Sequence, residues 1–350
     1  MLKVVRSWVD KYFSDEEALI LFFLLSVGLV FVVIWGHIMA PVIASVILAF
    51  ILQGLVAYLC SKGFNKAFSV YLSFTLFIGV VVTIIFALLP LVWRQLSSLV
   101  SDAPGILGSL KTYLYKLREQ YPAIIDAESM DKLYQDATSE VANFGQWLVS
   151  QSIESLPMLV TAMIYFIVVP ILVFFFLKDK DRILQALASM LPNDRKLMTR
   201  VWDEMNLQFA NYVRGKVVEI VVVGGATYIV FIFMGLNYGA LLAILVGFSV
   251  VIPYIGAVVV TIPVTMIALF QFGLHEAFFY LMLAYLVIQL IDGNILVPLL
   301  FSEVVNLHPV IIIVSVLFFG GIWGVWGVFF AIPLATLVKA VFTAWPRQLV

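Results

Sequence analysis

The feature that most constrains this chain is a stretch of 122 residues, 217–338, that contains no Lys and no Arg. The whole chain is poor in charge, since only 12% of its 350 residues are charged and 63% are hydrophobic. Soluble domains carry about a quarter charged residues, so this chain has too little polar surface to cover a globule of its size. Apolar surface on this scale needs lipid, and the sequence predicts an all-α integral membrane protein rather than a soluble enzyme.

Three further windows without charged residues locate the first membrane helices, at 18–61, 67–93 and 155–177. A span needs about 20 apolar residues, so the first window holds two helices and the others hold one each. We expect the first two helices to be joined by a turn near Gly36–Pro41. The block 217–338 lies between basic flanks and must cross an even number of times; four crossings fit its length, which gives about eight in total.

Basic residues orient these helices in the membrane. The segment 178–216 contains eight Lys and Arg, whereas 94–156 contains five against eight acids. Basic loops favour the cytoplasm, and all basic clusters share one side when both termini are cytoplasmic. The predicted order is a cytoplasmic N-terminus (1–17), transmembrane helices 1–3 (18–95), an extracytoplasmic amphipathic segment (96–156), transmembrane helix 4 (157–177), a cytoplasmic or interfacial amphipathic segment (178–216), a C-terminal membrane block (217–340) and a cytoplasmic C-terminus (341–350).

Both amphipathic segments show apolar residues at helical spacing. In 96–156 they indicate two or three helices, for packing and oligomer contact or for substrate capture. The stripe from Met198 to Tyr212 is typical of an interfacial helix whose basic residues face anionic headgroups, with contact to a transport path as the alternative.

Helix-breaking residues mark the C-terminal block as the candidate transport region. Pro253-Tyr254-Ile255-Gly256 interrupts one apolar run, and Pro263 follows it. Freed backbone groups at membrane depth are tolerated against protein or a water-filled cavity, and broken helices often form sites in secondary transporters. The alternative is a pair of ordinary kinked helices.

A second predicted break begins at Gln289 and continues through Asp292 and Asn294. Asp292 and Glu303 have no basic residue inside this block to pair with, so either carboxylate is a candidate carrier of a proton or a cation. Alternatively, Asp292 caps a helix that begins near Asn294, and Glu303 lies in an aqueous loop. The transport-path candidates are Pro253, Tyr254, Gly256, Pro263, Gln289, Asp292, Asn294, Glu303 and His308.

Two other polar positions have structural interpretations. Glu219 lies one turn from Lys216, which predicts a pair that reaches toward the membrane surface. His308 precedes Pro309 at a predicted helix start. Gly320, Gly324 and Gly327 give one narrow helix face for close packing, within or between subunits.

Motifs for catalysis and for metal or nucleotide binding are absent from the sequence. It contains no nucleotide phosphate loop, no His-Glu-x-x-His and no Gly-x-Ser-x-Gly. The single Cys60 excludes an internal disulfide, and the three scattered His form no convincing metal set. We therefore expect no enzyme activity, no cofactor and no bound metal, and a net charge of −1 gives no attraction to nucleic acid.

Three runs carry a family resemblance: VGFSVVIPYIGAVVVTIP (246–263), DGNILVPLLFSEVVNLHP (292–309) and FGGIWGVWGVFFAIPLATLVKAV (319–341). They resemble the autoinducer-2 exporter family, and most of all its branch of bacterial permeases. FFFLKDKDRI (174–183) and NYVRGKVVE (211–219) support the same resemblance, which runs along nearly the whole chain.

The resemblance implies a bacterial inner-membrane protein of about eight helices, a homo-oligomer with a pentamer as one arrangement, and secondary transport or export. It fixes no cargo, since family members are linked to autoinducer-2 export and to sodium/proton exchange. The motif residues that carry over are Pro253, Gly256, Pro263, Asp292, Asn294, Pro298, His308, Pro309, Gly324, Gly327 and Pro333.

Three functions therefore stand beside one another. The first is a secondary transporter that exports a small solute or exchanges a cation, with coupling to protons or sodium. The second is a non-transporting scaffold that binds envelope partners through its amphipathic segments. The third is a passive oligomeric pore.

Overall fold

The computed structural model describes residues 16–120, 131–132, 134–136, 138–140, 142–143, 146, 156–192, 195–253, 255–301 and 307–344. In chain order its α-helices are α1 (Glu16–Ser61), α2 (Lys66–Thr83), α3 (Leu89–Gln120), α4 (Leu156–Lys178), α5 (Lys180–Ser189), α6 (Lys196–Phe233), α7 (Gly239–Ser249), α8 (Ile255–Phe272), α9 (Glu276–Ile291), α10 (Val297–Phe301), α11 (Pro309–Phe329) and α12 (Ala331–Ala344). Two π-helical segments, π1 (Ile84–Leu88) and π2 (Asp292–Leu296), join α2 to α3 and α9 to α10.

Seven of the described helical segments are long and apolar enough to cross a membrane, and α7, α11 and α12 are shorter apolar helices. No strand occurs among the described residues. The prediction of an all-α integral membrane protein is therefore confirmed. The long spans expose many large apolar side chains, as helices bathed in lipid must.

The N-terminal helices differ from the sequence prediction at one point. The turn expected near Gly36–Pro41 does not interrupt the helical backbone, because α1 is helical across these residues and carries both apolar segments. Pro41 lies inside α1, and its carbonyl accepts a hydrogen bond from the Ser45 hydroxyl at 2.6 Å. The Ser45 hydroxyl also lies 3.4 Å from the Val169 carbonyl of α4, where the two helices pack.

Two groups of contacts mark opposite ends of the helix bundle. Lys66, at the start of α2, forms an ion pair with Asp181 at the start of α5; we call this end the basic side. At the other end, Tyr238 donates a hydrogen bond to Asp102 at 2.6 Å, and the Leu241 amide donates one to Gln95 at 2.8 Å. We call that end the latch side. The continuous helical segment from Lys66 to Ile106 links the two sides.

The helices α7 and α8 form a hairpin whose two ends meet on the latch side. The Gln271 side chain, near the end of α8, accepts from the Asn237 amide and donates to the Gly235 carbonyl, both at 2.7 Å. The helix α7 has 11 residues, about 17 Å, and is too short to cross a hydrocarbon core of about 30 Å. The predicted break at Pro253 is therefore the tip of a hairpin that joins the short helix α7 to α8, whose 18 residues are long enough to span.

Gly256 allows this hairpin to close. A Cβ at this position would lie 1.7 Å from the Ser249 carbonyl oxygen, so any larger residue collides with the end of α7. The neighbouring Pro253 carbonyl accepts a hydrogen bond from the Ile255 amide at 2.7 Å. The Pro–x–x–Gly sequence thus folds as a tight turn between two helices.

The glycines near the C-terminus form a second bend rather than a face along one straight helix. Gly324 adopts φ 60° and ψ −138°, which side-chain-bearing residues rarely adopt, and breaks α11 there. A Cβ on Gly327 would lie 1.8 Å from the Phe319 carbonyl oxygen, and one on Gly320 would lie 2.8 Å from the Val328 side chain. The expected close packing therefore occurs within this chain, where it folds back on itself.

Candidate functional site

A buried ion pair lies at the tip of the α7–α8 hairpin. The Lys216 ammonium group donates to Glu219 Oε2 at 2.7 Å and to the Val250 carbonyl oxygen at 2.8 Å. Only 4% of Lys216 and 2% of Glu219 is exposed. The predicted pairing is correct, but the prediction that the pair reaches toward the membrane surface is wrong, because the hairpin tip covers it.

Local sequence explains why α6 presents both charges to the same neighbour. Residues three and four apart share one face of a helix, and the buried residues Lys216, Glu219, Val223, Thr227 and Phe231 follow that spacing. This face packs against α7 and α9, so both charges point into the protein rather than into lipid. Val250 follows α7 directly, and its carbonyl points to the Lys216 ammonium group at the hairpin tip.

An aromatic ring closes the ion pair on one flank. The Lys216 ammonium lies 5.1 Å from the centre of the Phe301 ring, an arrangement that attracts a cation to the ring face. Gly215 makes room for this ring, because a Cβ there would lie 2.6 Å from Phe301 Cε1. The Tyr212 ring lies 5.8 Å from that of Phe301.

Asp292 lies on π2, which packs against α6 next to this ion pair. Its carboxylate is near enough to Lys216 and Glu219 for the charges to act on one another, but no direct ion pair of Asp292 with Lys216 occurs among the described residues. Among the described residues, no hydrogen-bond partner reaches the buried Asp292 Oδ1 or the buried Gln289 Nε2 one turn earlier. We call Lys216, Glu219 and Asp292 the ion cluster.

The helix does not break at Asp292, where the sequence predicts a second break. The backbone stays helical through π2, so Asp292 begins no new helix and the capping alternative is wrong. A π-helical segment widens the helix by one residue per turn, and such segments are frequent at functional sites. The prediction that Asp292 lacks a basic neighbour holds within 217–338, yet Lys216 lies just before that block and supplies one.

Other predicted path residues lie outside the ion cluster. The Asn294 side chain donates to its own helix, to the Leu290 carbonyl at 2.9 Å. His308 caps α11, with its Nδ1 accepting from the Val310 amide at 3.3 Å. Pro263 lies inside α8. Tyr254 and Glu303 lie outside the described residues.

Apolar residues enclose the ion cluster on both flanks. Toward the latch side lies a buried cluster that includes Val223, Phe231 and Tyr285. Toward the basic side lies another that includes Tyr212, Phe301 and Phe330. The charges therefore lie between two apolar layers. Among the described residues, no group of three or more His, Cys, Asp or Glu is arranged to hold a metal ion.

The amphipathic stripe of α6 also packs differently from the prediction. It belongs to the same helix as the ion pair, and Met198 and Val201 are buried against Leu21 of α1 and Leu337 of α12. Trp202 is 59% exposed. The stripe therefore fixes the first half of α6 to other helices instead of forming a separate interfacial helix.

Comparison with known proteins decides the family. A family model described as AI-2E family transporter matches residues 19–347. The chain belongs to the AI-2E transporter family. Within this family, the chain is 46% identical over 346 residues to an Escherichia coli K12 protein named "Putative permease PerM", covering 99% of this chain and 98% of the relative.

More distant AI-2E relatives match less strongly. A Bacillus subtilis protein named "Putative transport protein YueF" is 26% identical over 317 residues, 89% of this chain and 85% of the relative. The AI-2 transport protein TqsA of Escherichia coli K12 is 35% identical over 88 residues, 25% of each chain. The family and these names support a transport role, and the protein is a multi-pass membrane protein of a permease family.

Proposed function

We propose that the protein is a secondary transporter of the bacterial inner membrane that exports a small solute or exchanges a cation, with a proton or sodium ion as the coupling ion. Its path passes between the tip of the α7–α8 hairpin and π2. The observation that carries this proposal is the ion cluster at the tip of the α7–α8 hairpin, in which Lys216 and Glu219 are buried.

Burial is the reason why this cluster indicates transport. Charged side chains inside a membrane are costly and usually serve ion or substrate pathways. The tip of the α7–α8 hairpin presents backbone carbonyls, such as that of Val250, to a site in the protein interior. Broken helices of this kind form substrate and ion sites in other secondary transporters.

The two apolar layers fit an occluded state of alternating access. Opening toward the basic side requires the Phe301 ring to leave Gly215 and Tyr212. Opening toward the latch side requires Phe231 and Tyr285 to separate, whose rings lie 6.2 Å apart. Opening one layer while the other stays closed would expose the ion cluster to each side in turn.

Orientation and assembly belong to the same proposal. Basic loops favour the cytoplasm, so we place the basic side and both termini there and the latch side outside. We further propose that copies of the chain assemble into a homo-oligomer, with a pentamer as one arrangement, surrounded by the lipid bilayer.

The test is flux through the purified full-length protein in liposomes. A pH-sensitive dye inside the vesicles reports proton movement after a pulse of sodium, potassium or one of a panel of small metabolites. We expect at least one pulse to change the internal pH in wild-type vesicles and not in protein-free vesicles.

Variants connect the flux to the site. Lys216→Met should abolish it, whereas Lys62→Met at an exposed turn should leave it unchanged. No pH change and no isotope uptake with any probe would contradict transport and favour the scaffold. Non-saturating conductance in a planar bilayer would instead favour a passive pore.

A further inference from the structure

The ion cluster holds more negative than positive charge. When all three groups are ionised, Glu219 and Asp292 contribute two negative charges and Lys216 one positive charge, a balance of −1. Lys216 and Glu219 are buried, and Asp292 is partly buried with its Oδ1 enclosed. A net charge in such a low-dielectric interior is expensive and is usually neutralised, so one further positive charge stabilises the closed site.

Hydrogen bonding distinguishes the two carboxylates. Glu219 accepts directly from Lys216, while the other contacts of that ammonium group are the Val250 carbonyl and the Phe301 ring. The hydrogen bonds to Glu219 and Val250 use two of the three donors of this ammonium group, and the Phe301 ring covers another side of it. Glu219 is thus hydrogen-bonded to Lys216, whereas Asp292 Oδ1 is buried without a hydrogen-bond partner among the described residues.

The surroundings of Asp292 favour a proton over a metal cation. From α6, the element packed against π2, the ionisable groups Lys216 and Glu219 face it, and Tyr212 interacts electrostatically with Glu219. On its own helix, Gln289 and Tyr285 precede it. A sodium ion needs several oxygen ligands, while a proton needs a single lone pair.

We propose that the coupling ion is a proton and that Asp292 carries it in the closed state, while Lys216 acts as a fixed counterion for Glu219. This inference rests on the proposed function. Loading forms one O–H bond on the Asp292 carboxylate and neutralises the cluster. Unloading breaks the same bond and releases the proton to the side that opens.

Infrared difference spectroscopy of the purified full-length protein in liposomes tests this assignment without any substrate. Stepping the pH upward should remove one carboxylic-acid carbonyl band from the wild-type protein. The isosteric Asp292→Asn variant should lack that band. Glu276→Gln, which changes an exposed acid at the start of α9, should keep it.

The Glu219→Gln variant tests whether Asp292 carries the proton or has only a structural role. It leaves Asp292 as the only carboxylate of the ion cluster near Lys216, so the midpoint of the band should fall by about 1–3 pH units. The amide bands report whether each variant is folded, and a misfolded variant is replaced by Asp292→Ser.

Three results would overturn the proposal. The first is a carboxylic-acid band that persists in folded Asp292→Asn. The second is a band midpoint in Glu219→Gln that equals that of the wild type. The third is a shift of the wild-type midpoint when sodium replaces choline. The last result would assign a sodium ion to the same carboxylate. Because the spectra need no transport, flux without the Asp292 band would refute the proton assignment alone.

Discussion

At the scale of single residues, the buried ion pair Lys216–Glu219 makes each partner depend on the other. Glu219→Gln removes the direct partner of a buried ammonium group. Breaking a buried pair from one side usually costs about 3–5 kcal/mol, and Asp292 nearby places this case toward the lower value, about 3 kcal/mol. Thermal unfolding in detergent should show a clear fall in the melting temperature.

The control for this variant is Glu276→Gln. Glu276 is exposed at the start of α9, so its effect should stay within about 0.5 kcal/mol. Equal melting temperatures for the two variants would show that burial of the Lys216–Glu219 pair adds nothing to stability.

The stability of the folded protein should depend on pH through Tyr238, on the latch side. Burial, followed by the hydrogen bond to Asp102, raises the pKa of Tyr238 from 10.0 to about 12. The folded protein therefore favours the protonated phenol. This contribution to stability is fully present below pH 10 and is lost as the pH rises from 10 to 12. Melting temperatures across that range should fall more steeply for the wild type than for Tyr238→Phe.

Tyr280→Phe is the matched control, since Tyr280 is 60% exposed on α9. Its profile should follow that of the wild type. A Tyr238→Phe profile with the same steepness as the wild type would mean that this hydroxyl does not hold the latch side together.

At the scale of elements, the α7–α8 hairpin depends on Gly256. Gly256→Ala places a methyl group against the Ser249 carbonyl and should open the hairpin tip, with a large loss of folded protein on size-exclusion chromatography. Gly225→Ala tests the same chemical change on α6, where a Cβ meets nothing within 4 Å. We expect it to be neutral or stabilising by up to about 1 kcal/mol, because Ala favours helix. Similar yields from both variants would contradict a tight tip.

A hydrogen bond between α3 and α7 is a second feature at the scale of elements. Gln95 accepts a hydrogen bond from the Leu241 amide, one of the first amides of α7, which have no partner within their own helix. Gln95→Ala should speed hydrogen exchange at 239–243, whereas Gln95→Glu keeps an acceptor and should preserve protection. Unchanged exchange in Gln95→Ala would show that α3 does not hold α7 in place.

The sequence predicted some of these elements and missed others for physical reasons. Pro253 and Gly256 restrict the backbone locally, so the turn between α7 and α8 could be predicted from the sequence. Lys216 and Glu219 were readable as a pair from helical spacing, but their burial depends on a hairpin tip 34 residues away. The bend at Gly324 was not readable, because glycine permits a positive φ without requiring it.

At the scale of the whole molecule, the basic side and the latch side should lie on opposite faces of the membrane. In a Cys60→Ser background, Lys62→Cys and Leu274→Cys introduce single exposed thiols near the two sides. A membrane-impermeant maleimide should label Leu274→Cys in right-side-out vesicles and Lys62→Cys in inverted ones. Labelling of both from one face would refute this topology.

Whole-molecule features were predicted unevenly from the sequence. The low fraction of charged residues predicted an all-α membrane protein. This prediction does not depend on how the helices are arranged, because apolar surface is costly to expose to water in any arrangement. The contacts of Asp102 with Tyr238 and of Gln95 with α7 were not predicted, since no spacing in the sequence relates residues about 140 positions apart.

The depth of the hairpin tip has an electrical consequence. Glu219 lies 14 residues from Phe233 along α6, about 21 Å at 1.5 Å per residue, or roughly two thirds of a hydrocarbon core of about 30 Å. A proton that reaches the ion cluster from the latch side therefore crosses about two thirds of the membrane voltage. At about 2.3 kcal/mol per charge per 100 mV, a voltage of that size favours or opposes loading by roughly 1.5 kcal/mol, about a tenfold change in occupancy.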